Sequence, residues 1–191
     1  MTDSPFSHIT KKPGDIPDDS QLVKAARYNP EAFSALYERY VRQIYGYVFS
    51  HVGNVPDAED LTAQIFMAAL EGLGGYQHNG YFRAWLFGIA RFKIGDFFRR
   101  EKKLTSISDD KDIVSENDLL QSVVEQELKQ SLAELMLTLS EEEQELLRLR
   151  YQAGLSFPEM AQLLKRTPEG VKKAVYRLVA RIQMQMEVSN E

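Results

Sequence analysis

The sequence predicts an all-α protein: two small helical domains joined by a flexible acidic linker. Three observations predict it. No segment alternates apolar and polar residues as a convincing strand would. In stretch after stretch, apolar residues instead recur at three and four, behind residues that cap helices. Residues 104–122 then lose that period and turn to Ser, Asp, Asn and Glu, which separates a domain at 18–103 from one at 123–187.

Residues 1–17 are polar and carry Pro5, Pro13, Gly14 and Pro17, the composition of a disordered tail. A short helix follows from Asp18 or Asp19 to about Tyr28, with Leu22, Val23 and Ala26 turned inward. Asn29 then caps and Pro30 fills a first helical turn, where its missing N–H is harmless. The next helix has the clearest period: Phe33, Leu36, Tyr37, Tyr40, Val41, Ile44, Tyr47 and Val48, ending near Gly53. Its aromatic stripe reads as core. Val55-Pro56-Asp57 opens a third helix whose first turn gathers Asp57, Glu59 and Asp60 at the positive end of the helix dipole. His8, His51 and His78 are scattered, so these carboxylates read as caps and an exposed interaction face, not as metal ligands. Gly72, Gly74 and Gly75 break the helix without the Lys-Ser/Thr of a phosphate loop.

After a loop at 76–80 comes a basic helix with the only tryptophan. Phe82, Leu86, Ile89, the stem of Lys93 and Phe97 form a stripe suited to a core. Tyr81, Trp85 and Phe92 lie partly around the helix, although Trp85 alone reads as core. Arg91, Lys93, Arg99, Arg100, Lys102 and Lys103 interleave with these rings. Cations tracking phosphates and rings stacking on unpaired bases are what a single nucleic-acid strand requires.

Beyond the linker, Leu128, Leu132, Leu135 and Met136 mark an amphipathic helix. Ser140 with Glu143 forms a capping box for the helix of Leu146, Leu147, Leu149 and Tyr151, which Ala153-Gly154 ends. Residues 156–181 then read as two helices and a tight turn. Ser156 and Glu159 box the first, with Phe157, Met160, Ala161 and Leu164 apolar. Lys165-Arg166 turns. Thr167 caps the second, with Pro168 at its first position. Val171, Val175, Leu178, Val179 and Ile182 form its inner side, and Lys172, Lys173, Tyr176, Arg177 and Arg181 fall largely elsewhere. This is the pattern of a helix-turn-helix, whose second helix enters the major groove of DNA.

The net charge of −5 is unusual for a nucleic-acid binder, but its distribution accounts for it. Residues 81–103 hold seven basic and two acidic groups, and 104–156 hold four and twelve. Phosphate attraction depends on the local patch. With no cysteine, disulfides and thiolate metal sites are excluded. The absence of a membrane-length apolar run and of a signal-peptide core leads us to expect a soluble, cytoplasmic chain. No nucleophile–base pair, metal cluster or phosphate loop is present, so neither an enzyme nor a cofactor is expected.

These blocks, in this order, resemble the sigma-70 family of bacterial transcription initiation factors, specifically its compact extracytoplasmic-function (ECF) group. AFSALYERYVRQIYGYV, DAEDLTAQIF and YFRAWLFGIARFKIGDFFRR are similar to sigma region 2. LTLSEEEQELLRLRYQAGLSFPEMAQLLKRTPEGVKKAVYRL is similar to region 4. Nothing between them resembles region 3. The resemblance covers about 20–103 and 123–183. It implies a region 2-like helical bundle and a region 4-like helix-turn-helix that together bind core RNA polymerase, recognise the −10 and −35 promoter elements and open the DNA. It places Asp57, Glu59, Asp60, Ala63, Gln64 and Phe66 against the β′ clamp helices. It places Tyr76, Asn79, Trp85, Arg91, Phe92, Lys93, Arg99 and Arg100 at the −10 element. Thr167, Lys172, Lys173, Tyr176, Arg177 and Arg181 would read the −35 element, near the β flap. An anti-sigma factor is a further implied partner. The chain departs from the family pattern at Ala63 and Gln64, at Phe92 where Asn is usual, and at Ala174. Two other readings use the same features: a helix-turn-helix regulator that does not replace sigma, and a degenerate sigma-like protein that sequesters an anti-sigma factor.

Overall fold

A computed structural model describes residues 19–77, 80–105 and 138–189. The tail at 1–17, Asn79, most of the linker and the helix expected around Leu128–Met136 lie outside the described residues. The elements in order are α1 (Asp19–Ala26), α2 (Pro30–Val52), α3 (Val55–Gly72), a 3₁₀ turn (Leu73–Gly75) and α4 (Phe82–Thr105). Then come α5 (Glu141–Leu147), a π-helical turn (Arg148–Gln152), α6 (Phe157–Leu164) and α7 (Pro168–Ser189). Among the described residues there is no strand.

Local chemistry sets the boundaries. The Asn29 side chain accepts from the Glu31 N–H, and Pro30 follows it into α2. Gly53 ends α2 at φ 73°, a left-handed conformation open to glycine, and its N–H reaches the Phe49 carbonyl at 2.9 Å. Asn54 then caps α3 by accepting from the Asp57 N–H at 3.0 Å. That cap lies one residue before the Val55-Pro56-Asp57 start seen in the sequence. α4 continues to Thr105, past the expected domain edge.

α2 is the central helix of the first unit, packing on α1, α3 and α4. Val23, Ile44, Tyr47, Val48, Ile65, Leu86 and Phe87 are fully buried there. Each such side chain contributes about 1.5–3 kcal/mol relative to exposure. On α4 the buried line is Phe82, Leu86, Ala90 and Ile94, with Phe87 beside it. The expected stripe starts on this line and continues beside it: Ile89, Lys93 and Phe97 are half-buried, and Ile89 and Phe97 pack against the core. Steps of four track a helix covered on two sides, by α2 and α3 on one and by α6 on the other.

In the second unit Leu146, Leu149, Ala153, Leu155, Met160, Val171, Val175 and Leu178 form the core. The helix expected to run through Tyr151 widens after Leu147 into the π turn. The Ala153 N–H there reaches back five residues to the Arg148 carbonyl at 2.9 Å. The two units are not held apart. α6 packs along α4, the π turn packs on α2, and the buried residues of both units form one cluster.

Candidate nucleic-acid and polymerase interfaces

The helix-turn-helix is fixed by its caps. The Ser156 N–H donates to the Glu159 carboxylate at 2.7 Å, and the Glu159 N–H returns to the Ser156 hydroxyl at 3.4 Å. Lys165 makes the turn at φ 54°. The Thr167 hydroxyl accepts from the Gly170 N–H at 3.2 Å. A Cβ on Gly170 would stand 2.9 Å from that hydroxyl, so a larger residue there would shift the Thr167 side chain. Val171, Val175 and Leu178 anchor α7 in the core. Lys172, Lys173, Tyr176 and Arg177 face outward together. Tyr176 is 56% exposed, its ring 5.7 Å from both the Lys172 ammonium and the Phe157 ring. Arg181 is exposed as well, but it pairs with Glu143 at 2.7 Å. Backbone and side-chain hydrogen bonds from Ser140, followed by Arg181, hold the Glu143 carboxyl below the usual range.

The outer face of α4 is partly as expected. Phe92 stands 62% exposed. With half-buried Tyr81, Trp85 and Ile89 it lines a cleft of about 530 Å³, closed on its far side by Gln162 and Leu163 of α6. Tyr76 differs from expectation. It is buried, its ring 5.0 Å from Trp85 and 5.7 Å from Phe82, and its carbonyl accepts from Arg27. It supports Trp85 from behind and lines the base of the same cleft. Among the expected cations, Arg91 is bound to Glu145 at 2.8 Å and Arg99 to Asp96. Lys93 is half-buried and Arg100 exposed.

On α3, Glu59, Asp60 and Ala63 are exposed. Asp57 accepts from the Asn54 amide, and Gln64 donates to Asp60, both at 2.7 Å. Phe66 does not belong to this face. It is 5% exposed, edge-on to Tyr37 at 4.7 Å, because it lies one residue from Ile65 and four from Thr62 on the inner side. Sequence reasoning passed over two exposed apolar residues that do share the face, Met67 and Leu70. The spacing Glu59, Ala63, Met67, Leu70 is the helical signal that marks them.

Glu145 was also passed over. Its carboxylate accepts from the Tyr47 hydroxyl at 2.8 Å and from Arg91, and lies 3.2 Å from His51 Nε2. The other ring nitrogen of His51 lies 2.9 Å from the Tyr47 carbonyl, so both nitrogens face oxygen atoms. Burial alone would raise the Glu145 carboxyl. Hydrogen bonds from His51 and Tyr47 and the neighbouring positive charges outweigh it and hold the group below its ordinary value. Burial and the same carboxylate push the Tyr47 phenol up.

Among the described residues no cluster of His, Cys, Asp and Glu could hold a metal ion, and no helix is long and apolar enough to cross a membrane. The chain matches the family description Sigma-70 region 2 over residues 36–104 and Sigma-70, region 4 over residues 129–182. It is 30% identical to the ECF RNA polymerase sigma factor BldN of Streptomyces coelicolor, over 83% of this chain and 62% of that one. It is 31% identical to the ECF RNA polymerase sigma factor ShbA of Streptomyces griseus, over 65% of this chain and 69% of that one. Among solved structures, CnrH in complex with the cytosolic domain of CnrY has the same fold, with a TM-score of 0.66 at 24% identity, covering 90% of this chain and 99% of that one.

Proposed function

Because the chain belongs to the ECF sigma factors of the sigma-70 family, we propose that it binds core RNA polymerase and directs promoter recognition and DNA opening. One observation carries the reading to particular residues. The chain presents two surfaces of different kinds, a capped helix with Lys172, Lys173, Tyr176 and Arg177 outward, and a helix with Tyr81, Trp85 and Phe92 around a cleft. The first suits duplex DNA, where a helix enters the major groove and cations meet phosphates. The second suits an unpaired strand, where rings stack on bases. A factor that recognises one element as duplex and opens another uses both.

In this reading α7 takes the −35 element through Lys172, Lys173, Tyr176 and Arg177, with Thr167 holding the helix start. α4 takes the −10 element through Trp85 and Phe92, with Lys93 and Arg100 toward the phosphates. Asp57, Glu59, Asp60, Ala63, Gln64, Met67 and Leu70 form the polymerase face, acidic at one end and apolar at the other. An anti-sigma factor remains a partner of the same proposal. The test is run-off transcription by purified core RNA polymerase on genomic fragments, with and without the chain. New discrete starts sharing two spaced sequence elements are expected. A folded chain that yields no new start overturns the reading.

A further inference from the structure

A row of side chains stands behind the outward face of α7. Arg150 lies in the π turn, and its Nη1 donates to the carbonyl of the buried Leu155 at 2.9 Å. Its guanidinium carbon stands over the Phe157 ring, 4.7 Å from the centroid. Phe157 is the first residue of α6, half-buried and packed against the apolar core that both units share. Its ring meets the Tyr176 ring edge-on at 5.7 Å, with 73° between the planes. The Lys172 ammonium ends the row, 5.7 Å from the Tyr176 ring and one helical turn before it. Four side chains from three elements thus run from the buried Leu155 carbonyl to the solvent face of α7.

The row matters because the outward residues of α7 differ in what they can read. The inference rests on the proposed function, in which α7 enters the −35 duplex. Ammonium and guanidinium groups serve phosphates, which carry no sequence information, or guanine. Among Lys172, Lys173, Tyr176 and Arg177, only Tyr176 offers an apolar ring. The apolar group that the major groove presents to such a ring is the thymine methyl. Dispersion contacts fall off steeply with distance, so a methyl is read only by a ring held in place. Tyr176 is more than half exposed, and its own helix leaves it a choice of rotamers. Phe157 and Lys172 restrict that choice. Phe157 is in turn held by the core and by the Arg150 guanidinium, which the Leu155 carbonyl fixes. A contact residue whose neighbours are themselves locked keeps its geometry on binding.

We propose that Phe157 and Arg150 are positioning residues for promoter recognition: they hold the Tyr176 ring against a thymine methyl of the −35 element, and so set a base preference from outside α7. The test uses holoenzyme assembled from core RNA polymerase and the full chain, on the promoter that the parent selects in run-off transcription. Each thymine of the −35 element, on either strand, is replaced in turn by deoxyuridine, which removes only the methyl. Paired templates of different run-off length then compete in one reaction. The parent should prefer thymine over deoxyuridine at one position by about fourfold, as one buried methyl group gives. In Phe157→Leu, which keeps an apolar side chain but no ring, that ratio should fall toward one. Arg150→Lys keeps the charge and loses the planar stack, and should lower the ratio in the same way without touching the apolar packing. Phe157→Tyr keeps the ring and should keep the ratio. A merely structural role would lower the use of all templates alike and leave the ratio at the parent value. Discrimination that survives intact in Phe157→Leu or in Arg150→Lys overturns the proposal, and so does a parent indifferent to every deoxyuridine. A parent holoenzyme that makes no discrete start overturns the functional reading itself and this inference with it, which separates the two failures.

Discussion

The Tyr47 hydroxyl and the Glu145 carboxylate, 98 residues apart in sequence, meet at 2.8 Å. Tyr47 is fully buried, and its ring also packs edge-on against Phe87 at 5.2 Å. One side chain therefore belongs to the core of the first unit and to a polar contact with the second. Tyr47→Phe keeps the ring and removes only the donor. A hydrogen bond to a charged group contributes about 1.5–3 kcal/mol, so urea unfolding should show a loss in that range. Unchanged stability would mean that water replaces the phenol at Glu145 without loss.

The same carboxylate gives the fold a defined acid sensitivity. Glu145 titrates below its ordinary value in the folded chain, whereas in the unfolded chain it titrates near 4.3. The unfolded chain thus takes up the proton first. The stabilisation is fully present above about pH 4.3 and is lost as pH falls through the folded value. Unfolding free energy measured from pH 6 to pH 3 should fall less steeply in Glu145→Gln than in the parent. Parallel curves would remove Glu145 from the acid response.

Salt dependence of DNA binding should separate cations with different surroundings. Lys172→Ala and Arg177→Ala should each weaken binding and reduce the slope of log K against log salt by about 0.9 if they touch phosphate. Arg181 pairs with Glu143, so its replacement should change the slope less. Equal slopes for the parent and the first two variants would take those residues out of the interface.

Lys165 turns the helix-turn-helix at φ 54°, a region in which a side chain costs about 1–2 kcal/mol. Lys165→Gly relieves that strain, offset in part by the freer unfolded chain. Thermal melting should show a rise of about 1–4 °C. A lower Tm would mean that the Lys165 side chain stabilises the fold through a contact that outweighs its backbone strain.

Features of the fold written into short range were legible in the sequence. Asn29-Pro30, Ser140 with Glu143, and Ser156 with Glu159 each announce a helix start within four residues, and each cap forms. The inward positions Val171, Val175 and Leu178 follow from spacing alone. Placement by motif was less dependable. Phe66 falls within the resemblance at the polymerase face, yet its helical phase puts it inside with Ile65, while Met67 and Leu70 come to the surface. The polar contacts between the units were not legible. Nothing near Glu145 marks it as a partner of Tyr47, and an arginine such as Arg83 looks like any solvated cation until Ala153 and Gly154 are brought to it by tertiary packing. The π turn at Arg148–Gln152 gave no warning either, because its residues continue an ordinary helical period.

Phe92 offers the most direct test of the strand-binding face. It is largely exposed and outside the core, so Phe92→Ala should leave the melting temperature nearly unchanged. Base–aromatic stacking contributes about 1–3 kcal/mol per base, so if Phe92 stacks on an unpaired base, open-complex stability on a cognate promoter should fall by roughly five- to 150-fold. Permanganate reactivity of thymines near −10 would report it. Tyr76→Phe should behave in the opposite way to an exposed platform: the ring is buried against Trp85 and Phe82, and removing its hydroxyl should leave promoter opening intact. Phe92→Ala with normal permanganate reactivity would show that the ring does not touch the melted strand, and would move the opening face toward Tyr81 and Trp85.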